Sequence, residues 1–293
     1  MMTKKLFYLV IILFVISIQF TSCKSKAKGV TTETKETEKN GLNISYIGNM
    51  GVLISSENST ILIDGFHKKY RDQYSYPSKD NVKEIINGEY QNFGEIDVAL
   101  VTHYHKDHFN SDYYKEFLQK NIESVVISSQ QVNNQIRDRF SNDSMIINNR
   151  LKQVPYNDQI YFTTQDNLQI KAFKCPHIHS NTHASHASVQ NIAYLIYMDD
   201  YSILHLGDTN WNVAESNLTK MNLSDASVDI AILPYWMLLD KDSIKKVINI
   251  IAPKHLLATH IPTDLSNEEH ETLLKNYPNI TLFTKLNEQL KYR

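Results

Sequence analysis

The sequence predicts an α/β protein in which two β-sheets pack face to face between outer helices, an αββα sandwich. Two observations support this fold class. Short apolar runs typical of β-strands fall into two sets, one before about residue 130 and one after about residue 160. Helical segments lie between and after these sets, as expected when helices cover the outer faces of packed sheets.

The first set begins with three short strands that are predicted to form an antiparallel meander. Turn-forming pairs, Gly48-Asn49 and Glu57-Asn58, separate the apolar runs. Ser111 is expected to cap a later helix, because its hydroxyl can accept a hydrogen bond from the first turn. The predicted elements of this half are strands 43–47, 52–55 and 60–63, helix 79–87, a buried central strand 96–102, helix 111–118, strand 125–128 and helix 130–140.

The second set continues the strands toward the C-terminus. A pair of acidic residues, Asp199-Asp200, separates two apolar runs and predicts a tight turn between them. The predicted elements of this half are strands 160–162, 168–173, 192–197, 202–206, 230–233 and 256–259, with helices 242–250 and 266–276.

The N-terminus has the order of features found in a secretory signal. Lys4 and Lys5 precede an almost wholly apolar run over 6–20, which is shorter than the roughly 20 residues needed to span a membrane. The small residues just before Cys23 resemble the lipobox of bacterial lipoproteins. This resemblance implies that residues 1–22 are a signal peptide and that Cys23 carries a lipid. The lipid would anchor the protein to a bacterial membrane, on the periplasmic or surface side.

Behind the signal, the chain is predicted to consist of a tether and one folded domain. Residues 23–40 are rich in Lys, Thr, Glu and Ser and nearly free of apolar side chains, so they are expected to stay flexible. Residues 41–293 form the predicted domain. Only Cys175 remains there, which rules out an intramolecular disulfide and predicts a buried thiol.

The charge balance argues against a nucleic-acid partner. The whole chain has 30 Lys and Arg against 32 Asp and Glu, a formal net charge of −2. Removing residues 1–22 removes two lysines and no acid, so 28 basic residues face 32 acidic ones. No basic excess remains to bind phosphate backbones by counterion release.

The segment directly after the central strand concentrates metal-binding side chains. His103, His105, Asp107 and His108 lie within six residues. A spacing of two places His103 and His105 on the same side of an extended chain, and the next two follow about one turn later. Neutral imidazole and carboxylate are the ligands that zinc-like ions prefer. The segment therefore predicts a metal site at the end of this strand.

His103-Tyr-His105-Lys-Asp107-His108 resembles the HxHxDH signature of the metallo-β-lactamase superfamily. Further residues occur in the family's order. Asp64 follows strand 60–63, Gly207-Asp208-Thr209 follows strand 202–206, and His260 follows strand 256–259. The resemblance covers about residues 42–284. It implies the αββα fold, two pseudo-repeated halves, and two metal ions at one edge of the sandwich.

The resemblance also implies an assignment of ligands. His103 and His105 would bind the first metal, Asp208 would bridge both, and the second metal would take Asp107, His108 and His260. A third imidazole for the first metal is expected from the loop after strand 168–173. Three histidines of that loop are candidates, in the order of preference His177, His179 and His186.

Zinc is the expected metal, with manganese and iron as alternatives. Two divalent ions would lower the pKa of a shared water and give a hydroxide that attacks the substrate. Asp107 and Asp64 are the predicted catalytic carboxylates. Asp107 would act as a metal ligand, and Asp64 would orient an imidazole.

The implied function is a metal-dependent hydrolase that acts on a small-molecule or lipid-like ester, lactone or phosphodiester outside the cytoplasm. Segments 47–54 and 63–65 are most similar to the small branch of lactonases, phosphodiesterases and phospholipase-like enzymes, although Asn49 stands where that branch often has His. The alternative function is a non-catalytic metal-binding lipoprotein. Three aromatic residues, Trp211, Tyr235 and Trp236, are expected either to shape a pocket for an apolar or ring-bearing substrate or to pack in the core.

Overall fold

The computed structural model describes residues 41–140, 145–165, 168–178, 184–223 and 225–293. The predicted signal peptide, Cys23 and the tether lie outside these described residues, and so does His179. Within the described ranges, no helix has both the length and the apolar composition needed to cross a membrane.

Two seven-stranded sheets form the body of the domain. In spatial order, the first sheet consists of β14 (Gln289–Tyr292), β1 (Leu42–Gly48), β2 (Gly51–Ser55), β3 (Thr60–Ile63), β4 (Val98–Val101), β5 (Val125–Ser129) and β6 (Leu151–Val154). The second consists of β13 (Ile280–Leu282), β12 (His255–Thr259), β11 (Ile230–Pro234), β10 (Tyr201–His205), β9 (Ile192–Met198), β8 (Leu168–Lys174) and β7 (Tyr161–Gln165).

Each sheet joins an antiparallel half to a parallel half. Strands β14, β1, β2 and β3 pair antiparallel, and β3 to β6 pair parallel. In the second sheet, β7 to β10 pair antiparallel and β10 to β13 pair parallel. The predicted antiparallel meander is confirmed for β1 to β3. This shared plan agrees with the expectation of two similar halves.

An aspartate joins the first two parallel strands in each half, half-buried in the first and buried in the second. The carboxylate of Asp97 accepts a hydrogen bond from the backbone N–H of Thr60 at 2.7 Å, and the Asp97 N–H donates to the Thr60 carbonyl at 2.9 Å. Asp229 makes the same pair of bonds with Ser202, at 2.8 and 3.0 Å. The two sheets therefore share their local chemistry as well as their strand order.

Helices cover the outer face of each sheet. The helices are α1 (Lys79–Asn87), α2 (Ser111–Lys120), α3 (Gln130–Arg137), α4 (Met145–Arg150), α5 (Trp211–Lys220), α6 (Tyr235–Leu239), α7 (Ser243–Lys246) and α8 (Asn267–Asn276). A 3₁₀ turn spans Ala184–Ser188, and α7 continues into a π-helical turn over Val247–Ile251.

The core has three layers because successive strand residues point to opposite faces. In β4, Val98 and Leu100 pack between the two sheets, while Ala99 and Val101 pack against helices. A strand buried on both faces must be apolar throughout, as this run is. A third layer lies between the second sheet and its helices. These layers confirm the predicted αββα sandwich.

Three sequence expectations differ from the structure in detail. The cap of α2 is Asn110, whose extended backbone (φ −140°, ψ 113°) lets its side chain accept from the Tyr113 N–H, so Ser111 is the first helical residue and not the cap. The predicted helix 242–250 is a short α-helix followed by a π-helical turn. Elements β6, β13, β14, α4, α5 and α6 were not predicted from the sequence.

Candidate metal centre

The predicted ligands all follow strands at one edge of the sandwich. His103 to His108 come after β4, His177 after β8, Asp208 after β10 and His260 after β12. Parallel strands bring their carboxyl ends to the same edge of a sheet, where α/β folds commonly bind ligands. Residues more than 150 positions apart in sequence thereby meet at one place.

Three imidazoles form the first group of converging ligands, His103, His105 and His177. One ligand nitrogen from each lies within 4.8 Å of the others. His103 Nε2 is 3.1 Å from His105 Nδ1, and the ring centroids of His105 and His177 are 4.7 Å apart. Among the described residues, His177 is thus the third imidazole of this group, in agreement with the order of preference from the sequence.

His186 lies beside this group but is not a member of it. Its ring centroid is 5.0 Å from that of His105 and 5.2 Å from that of His177. The ring is half-buried, on the 3₁₀ turn that precedes β9. His186 therefore borders the mouth of the site.

The second group consists of Asp107, His108, Asp208 and His260, again with ligand atoms within 4.8 Å of one another. His260 Nε2 lies 3.5 Å from an oxygen of Asp107 and 3.5 Å from one of Asp208. His108 Nε2 lies 3.2 Å from Asp208 Oδ1. All four side chains are buried.

The carboxylate of Asp208 stands between the two groups. Its Oδ2 is 4.0 Å from His103 Nε2 and 3.6 Å from His177 Nε2 in the first group. The same oxygen is 3.5 Å from His260 Nε2 in the second. One carboxylate therefore reaches ligand atoms of both groups, as a bridging ligand must.

Asp64 belongs to neither group but hydrogen-bonds residues next to and within the centre. Its carboxylate accepts from the backbone N–H of Thr102 (2.8 Å), from the Thr102 hydroxyl (2.6 Å) and from His108 Nδ1 (2.8 Å). Because His108 Nδ1 donates to Asp64, Nε2 is the nitrogen that faces the centre, and its lone pair becomes available to a metal when His108 loses its second proton. Asp64 is completely buried.

Hydrogen bonds orient two imidazoles of the first group, His103 and His177, in the same sense. The Thr102 hydroxyl gives its proton to Asp64, so its oxygen accepts from His103 Nδ1 at 3.0 Å. His177 Nδ1 donates to the carbonyl of Ile178 at 2.5 Å. In both histidines Nε2 is therefore the nitrogen that is available to bind a metal ion.

Two site residues adopt the left-handed backbone region. Asp64 has φ +48° and His260 has φ +57°. A positive φ is uncommon for residues other than Gly, although Asn, Asp and His adopt it more often than most, and it persists where surrounding contacts enforce it. The N–H of His260 donates to the carbonyl of Asn49 at 2.8 Å, which is one such contact.

Asn49 is a functional position that the sequence did not predict. Its side-chain amide donates to the backbone carbonyl and to Oδ2 of Asp107, both at 3.1 Å, and it is fully buried. Together with its bond to His260, Asn49 holds two members of the second group. The available signal was the turn pair Gly48-Asn49, which stands where the branch that segment 47–54 resembles often has His.

Burial keeps the first group of imidazoles neutral. It lowers the pKa of His105 to about 4, with the neighbouring His177 and His108 adding to the shift. Burial and the charge of His108 hold the pKa of His103 well below its ordinary value, and burial also lowers the pKa of His177. At neutral pH these three side chains are unprotonated, which is the form that binds metal.

The second group behaves as ion pairs in the metal-free protein. Burial opposes ionisation of Asp107, but the charges of His108 and His260 outweigh it and lower its pKa to about 2. Burial also opposes ionisation of Asp208, but the charges of His108 and His260 outweigh it and hold the pKa of Asp208 well below its ordinary value. The same carboxylates raise the pKa of His108 and His260 despite their burial.

These residues fit a pair of divalent cations. The buried Oδ1 of Asp208 has no hydrogen bond, although it lies near His108. In the metal-free protein the charge of His108, 3.2 Å from this oxygen, offsets the cost of burying it. A divalent ion would take over that role once His108 is deprotonated. Neutral imidazoles in the first group and two carboxylates in the second are the donors that zinc, manganese or iron accept.

The metal-free protein is expected to lose stability as the pH rises above about 6.5, while its metal affinity increases over the same range. His108 and His260 have folded pKa values above the unfolded value of about 6.5, so their contribution is present below that pH and is lost as they deprotonate. Metal binding must displace those protons. Thermal unfolding and zinc titration calorimetry across pH 6 to 9 would measure both trends, and a metal affinity that falls with rising pH would contradict this assignment.

Aromatic rings line one side of the second group. The ring centroid of Tyr74 lies 4.4 Å from that of His260, and that of Trp236 lies 4.7 Å away, both edge to face. Tyr235 and Trp236 are half-buried. Trp211 is almost fully buried, and its Nε1 donates to the carbonyl of Met237, so it belongs mainly to the core.

Other histidines and the remaining cysteine have structural contacts. His205 Nε2 contacts the Met50 carbonyl at 3.1 Å, and His255 Nε2 contacts the Thr281 hydroxyl at 2.9 Å. Cys175 is a free, buried thiol that donates to the Thr209 hydroxyl, as expected from the sequence. Burial raises its pKa to about 12, so it stays protonated.

The comparisons with known proteins concern the same part of the chain. Igni18, a metallo hydrolase from the hyperthermophilic archaeon Ignicoccus hospitalis, is 14% identical with a TM-score of 0.57, over 86% of this chain and 99% of that one. YhfI, a metallo-beta-lactamase fold protein from Bacillus subtilis, is 12% identical with a TM-score of 0.58, over 86% of this chain and 100% of that one. An isothiocyanate hydrolase from Delia radicum gut bacteria is 15% identical with a TM-score of 0.58, over 86% of this chain and 98% of that one.

At these identities, the structural likeness concerns the fold. No curated protein matches the sequence. The family model described as the beta-lactamase superfamily domain matches residues 43–260, from β1 to the last ligand. Since this match spans well over half of the chain, the protein belongs to the beta-lactamase superfamily domain family and has the metallo-β-lactamase fold.

Proposed function

We propose that this protein is a hydrolase that binds two divalent metal ions, zinc in the first instance, and cleaves a small-molecule or lipid-like ester, lactone or phosphodiester. The observation that carries the proposal is the Asp208 carboxylate between a group of three imidazoles and a group rich in carboxylates. Membership of a metallo-hydrolase fold family supports it. A storage protein would not need two adjacent groups joined by one carboxylate.

Each residue of the centre would have a separate role. His103, His105 and His177 would hold one ion, Asp107, His108 and His260 the other, and Asp208 both. When bound, the ions would supply an activated water and polarise the substrate oxygen. Asp64 would keep His108 in the tautomer that directs Nε2 at the centre.

The surroundings support a substrate with an apolar part. Tyr74 and Trp236 border the second group, while Tyr104 packs edge to face on His105 with centroids 5.2 Å apart. Aromatic rings exclude water and contribute packing area without adding charge. A substrate would thus meet polar ligand atoms at its reacting bond and aromatic faces on both sides.

His105→Ala is expected to lose most of its bound metal and most or all of its hydrolytic activity, while the domain stays folded. His105 is only half-buried at the edge of the sandwich, so its truncation leaves the three core layers intact. Elemental analysis, circular dichroism and turnover of aryl ester, lactone, phosphodiester and isothiocyanate probes would be measured together.

His270→Ala is the matched control, because His270 is a partly exposed histidine on α8 outside both groups. It should keep the wild-type metal content and turnover. Two ions per chain in His105→Ala would show that the ligand assignment is wrong. A metal-loaded protein that is inactive on every probe class would favour the non-catalytic binding lipoprotein.

The location outside the cytoplasm is a second part of the proposal, supported by the signal-like N-terminus and the lipobox resemblance. Cys23→Ser expressed in a bacterial host is expected to abolish labelling by a radioactive or clickable fatty acid, since it removes the acylated thiol. Cys175→Ser serves as the control, because its thiol is buried in the folded domain. Unchanged labelling of Cys23→Ser would exclude the lipid anchor.

A further inference from the structure

A cleft opens beside the second group of ligands, between α6 and the start of α8. Its volume is about 370 Å³. Two half-buried aromatic rings, Tyr235 and Trp236, form part of its lining. The start of α5 contributes Trp211 and two asparagines, aliphatic side chains fill in between, and carboxylates stand at Asp240 and Glu269. Concave, mostly apolar sites with a few polar groups are the usual form of small-molecule pockets.

The cleft adjoins the metal centre, and Trp236 lies at the border between them. Trp236 touches both, since its ring lies 4.7 Å from that of His260 and also lines the cleft. Its Nε1 donates to the carbonyl of Thr209 at 2.7 Å, directly after Asp208. Ile178, another lining residue, donates its N–H to the Asp208 carbonyl at 2.8 Å. A molecule whose reacting bond lies at Asp208 would therefore extend one arm into the cleft.

The charge of the cleft is negative. Asp240 and Glu269 are the charged residues of its described lining. Burial raises the pKa of Tyr235, and the negative charges of Glu269 and Asp264 add to this shift. Lys246 approaches the ring of Trp211, 5.9 Å from its centroid, but its charge is paired with Glu215 at 3.6 Å. An anionic arm would be repelled here, whereas a cationic one would be attracted.

We propose that this cleft binds an organic cation, a quaternary ammonium group carried by the substrate next to the scissile bond. The inference rests on the proposed hydrolase function and specifies its substrate class. Faces of Trp and Tyr attract such cations through the ring quadrupole, and carboxylates add direct charge attraction. A neutral isostere would keep the shape but lose both interactions.

The test uses matched probes with the zinc-loaded full chain. Butyrylcholine is compared with 3,3-dimethylbutyl butyrate, and the phosphodiester p-nitrophenylphosphorylcholine with its 3,3-dimethylbutyl analogue. In each pair the trimethylammonium group is replaced by a neutral group of the same shape. We expect the kcat/KM ratio of cationic to neutral probe to exceed about tenfold in at least one pair. Choline itself is expected to bind, as measured by calorimetry.

The double variant Asp240→Asn, Glu269→Gln removes the charges and little else. Glutamine can retain the capping bonds that Glu269 makes with Ser266, and asparagine can still accept from the Asp242 N–H. The kcat/KM ratio should fall to about one, and choline binding should weaken about tenfold. Glu268→Gln, an exposed neighbour on α8 outside the lining, should change neither quantity.

The outcomes separate this inference from the proposed function. Turnover of both members of a pair with a ratio near one, and no choline binding, would overturn the cationic cleft while the hydrolase stands. Choline binding that the double variant weakens, without turnover of any probe, would support the cleft and count against the hydrolase. Choline binding that is unchanged in the double variant would place the cation elsewhere and overturn the inference.

Discussion

Asp208→Asn is expected to reduce turnover by at least about a thousandfold and to leave fewer than two metal ions per chain. Its carboxylate is the group that approaches both sets of ligands. Metal ions supply several kcal/mol of transition-state stabilisation, and about 1.4 kcal/mol corresponds to a tenfold change in rate. A neutral amide reduces the negative charge that attracts both ions, so both the stoichiometry and the rate should fall.

The metal-free variant gives a readout that does not depend on activity. In the native protein, Asp208 is held ionised against burial by His108 and His260, and it raises their pKa in return. A carboxylate with a depressed pKa contributes stability above its unfolded pKa of about 3.9. Metal-free Asp208→Asn should therefore unfold at a lower temperature at pH 7. The difference should shrink as the pH falls through the folded pKa of Asp208, where that carboxylate becomes neutral.

Asp200→Asn is the control for this experiment, because Asp200 lies exposed in the turn between β9 and β10. It should match the wild type in metal content, rate and unfolding temperature. A fully active Asp208→Asn with two ions would contradict the bridging role.

The sequence could predict most residues that the structure brings together at the candidate centre, because the pattern that marks them is local. Four metal-binding residues within 103–108 follow a strongly apolar strand, and Asp208 and His260 also follow apolar strands. Periodicity locates such strands well, and the carboxyl end of a parallel strand fixes the edge at which the next residue emerges. The position of each residue directly after a strand was therefore enough to predict that these residues lie close together.

The choice among His177, His179 and His186 could not be made in the same way. They lie between β8 and β9, where the sequence shows no strand or helix period from which the direction of each side chain could be predicted. His177 belongs to the first group because it leaves β8 directly and its Nδ1 is fixed by the adjacent carbonyl. The preference for His177 is consistent with this geometry among the described residues, and the choice against His179, which lies outside them, stays a prediction.

The elements that were missed lack a strong apolar pattern. Strand β14 alternates exposed and half-buried residues and is stabilised by pairing with β1 at the edge of the sheet. Helix α5 has Asn210 as its cap, a signal that is visible in the sequence only once the helix is suspected. Tyr74 reaches His260 from an irregular loop, and no local pattern predicts such a contact.

Asp64→Ala is expected to destabilise the domain by about 3–5 kcal/mol, the largest stability change among the site variants. Three buried donors, the Thr102 N–H, the Thr102 hydroxyl and His108 Nδ1, would lose their acceptor. Removing one partner of a buried charged network costs about this much. Alanine would also adopt the left-handed backbone of Asp64 (φ +48°) less readily.

Asp229→Asn is a matched comparison at the opposite edge of the sandwich. Asp229 is also buried and accepts from a backbone N–H and a hydroxyl, both of Ser202, and from Lys254. The Asp229→Asn variant should lower the denaturant midpoint of unfolding without changing metal affinity. The Asp64→Ala variant should lower both the denaturant midpoint and the metal affinity.

Asp64→Asn separates the electrostatic role of Asp64 from its backbone role, because asparagine tolerates a positive φ and can still accept from the Thr102 N–H. Its amide N–H₂ would then face His108 Nδ1, two donors in opposition. The imidazole can relieve the clash by moving its proton to Nε2, which takes away the lone pair directed at the centre. We therefore expect a smaller loss of stability than in Asp64→Ala but a 10- to 100-fold loss of metal affinity. Tight metal binding by Asp64→Asn would show that the tautomer of His108 is fixed by other contacts.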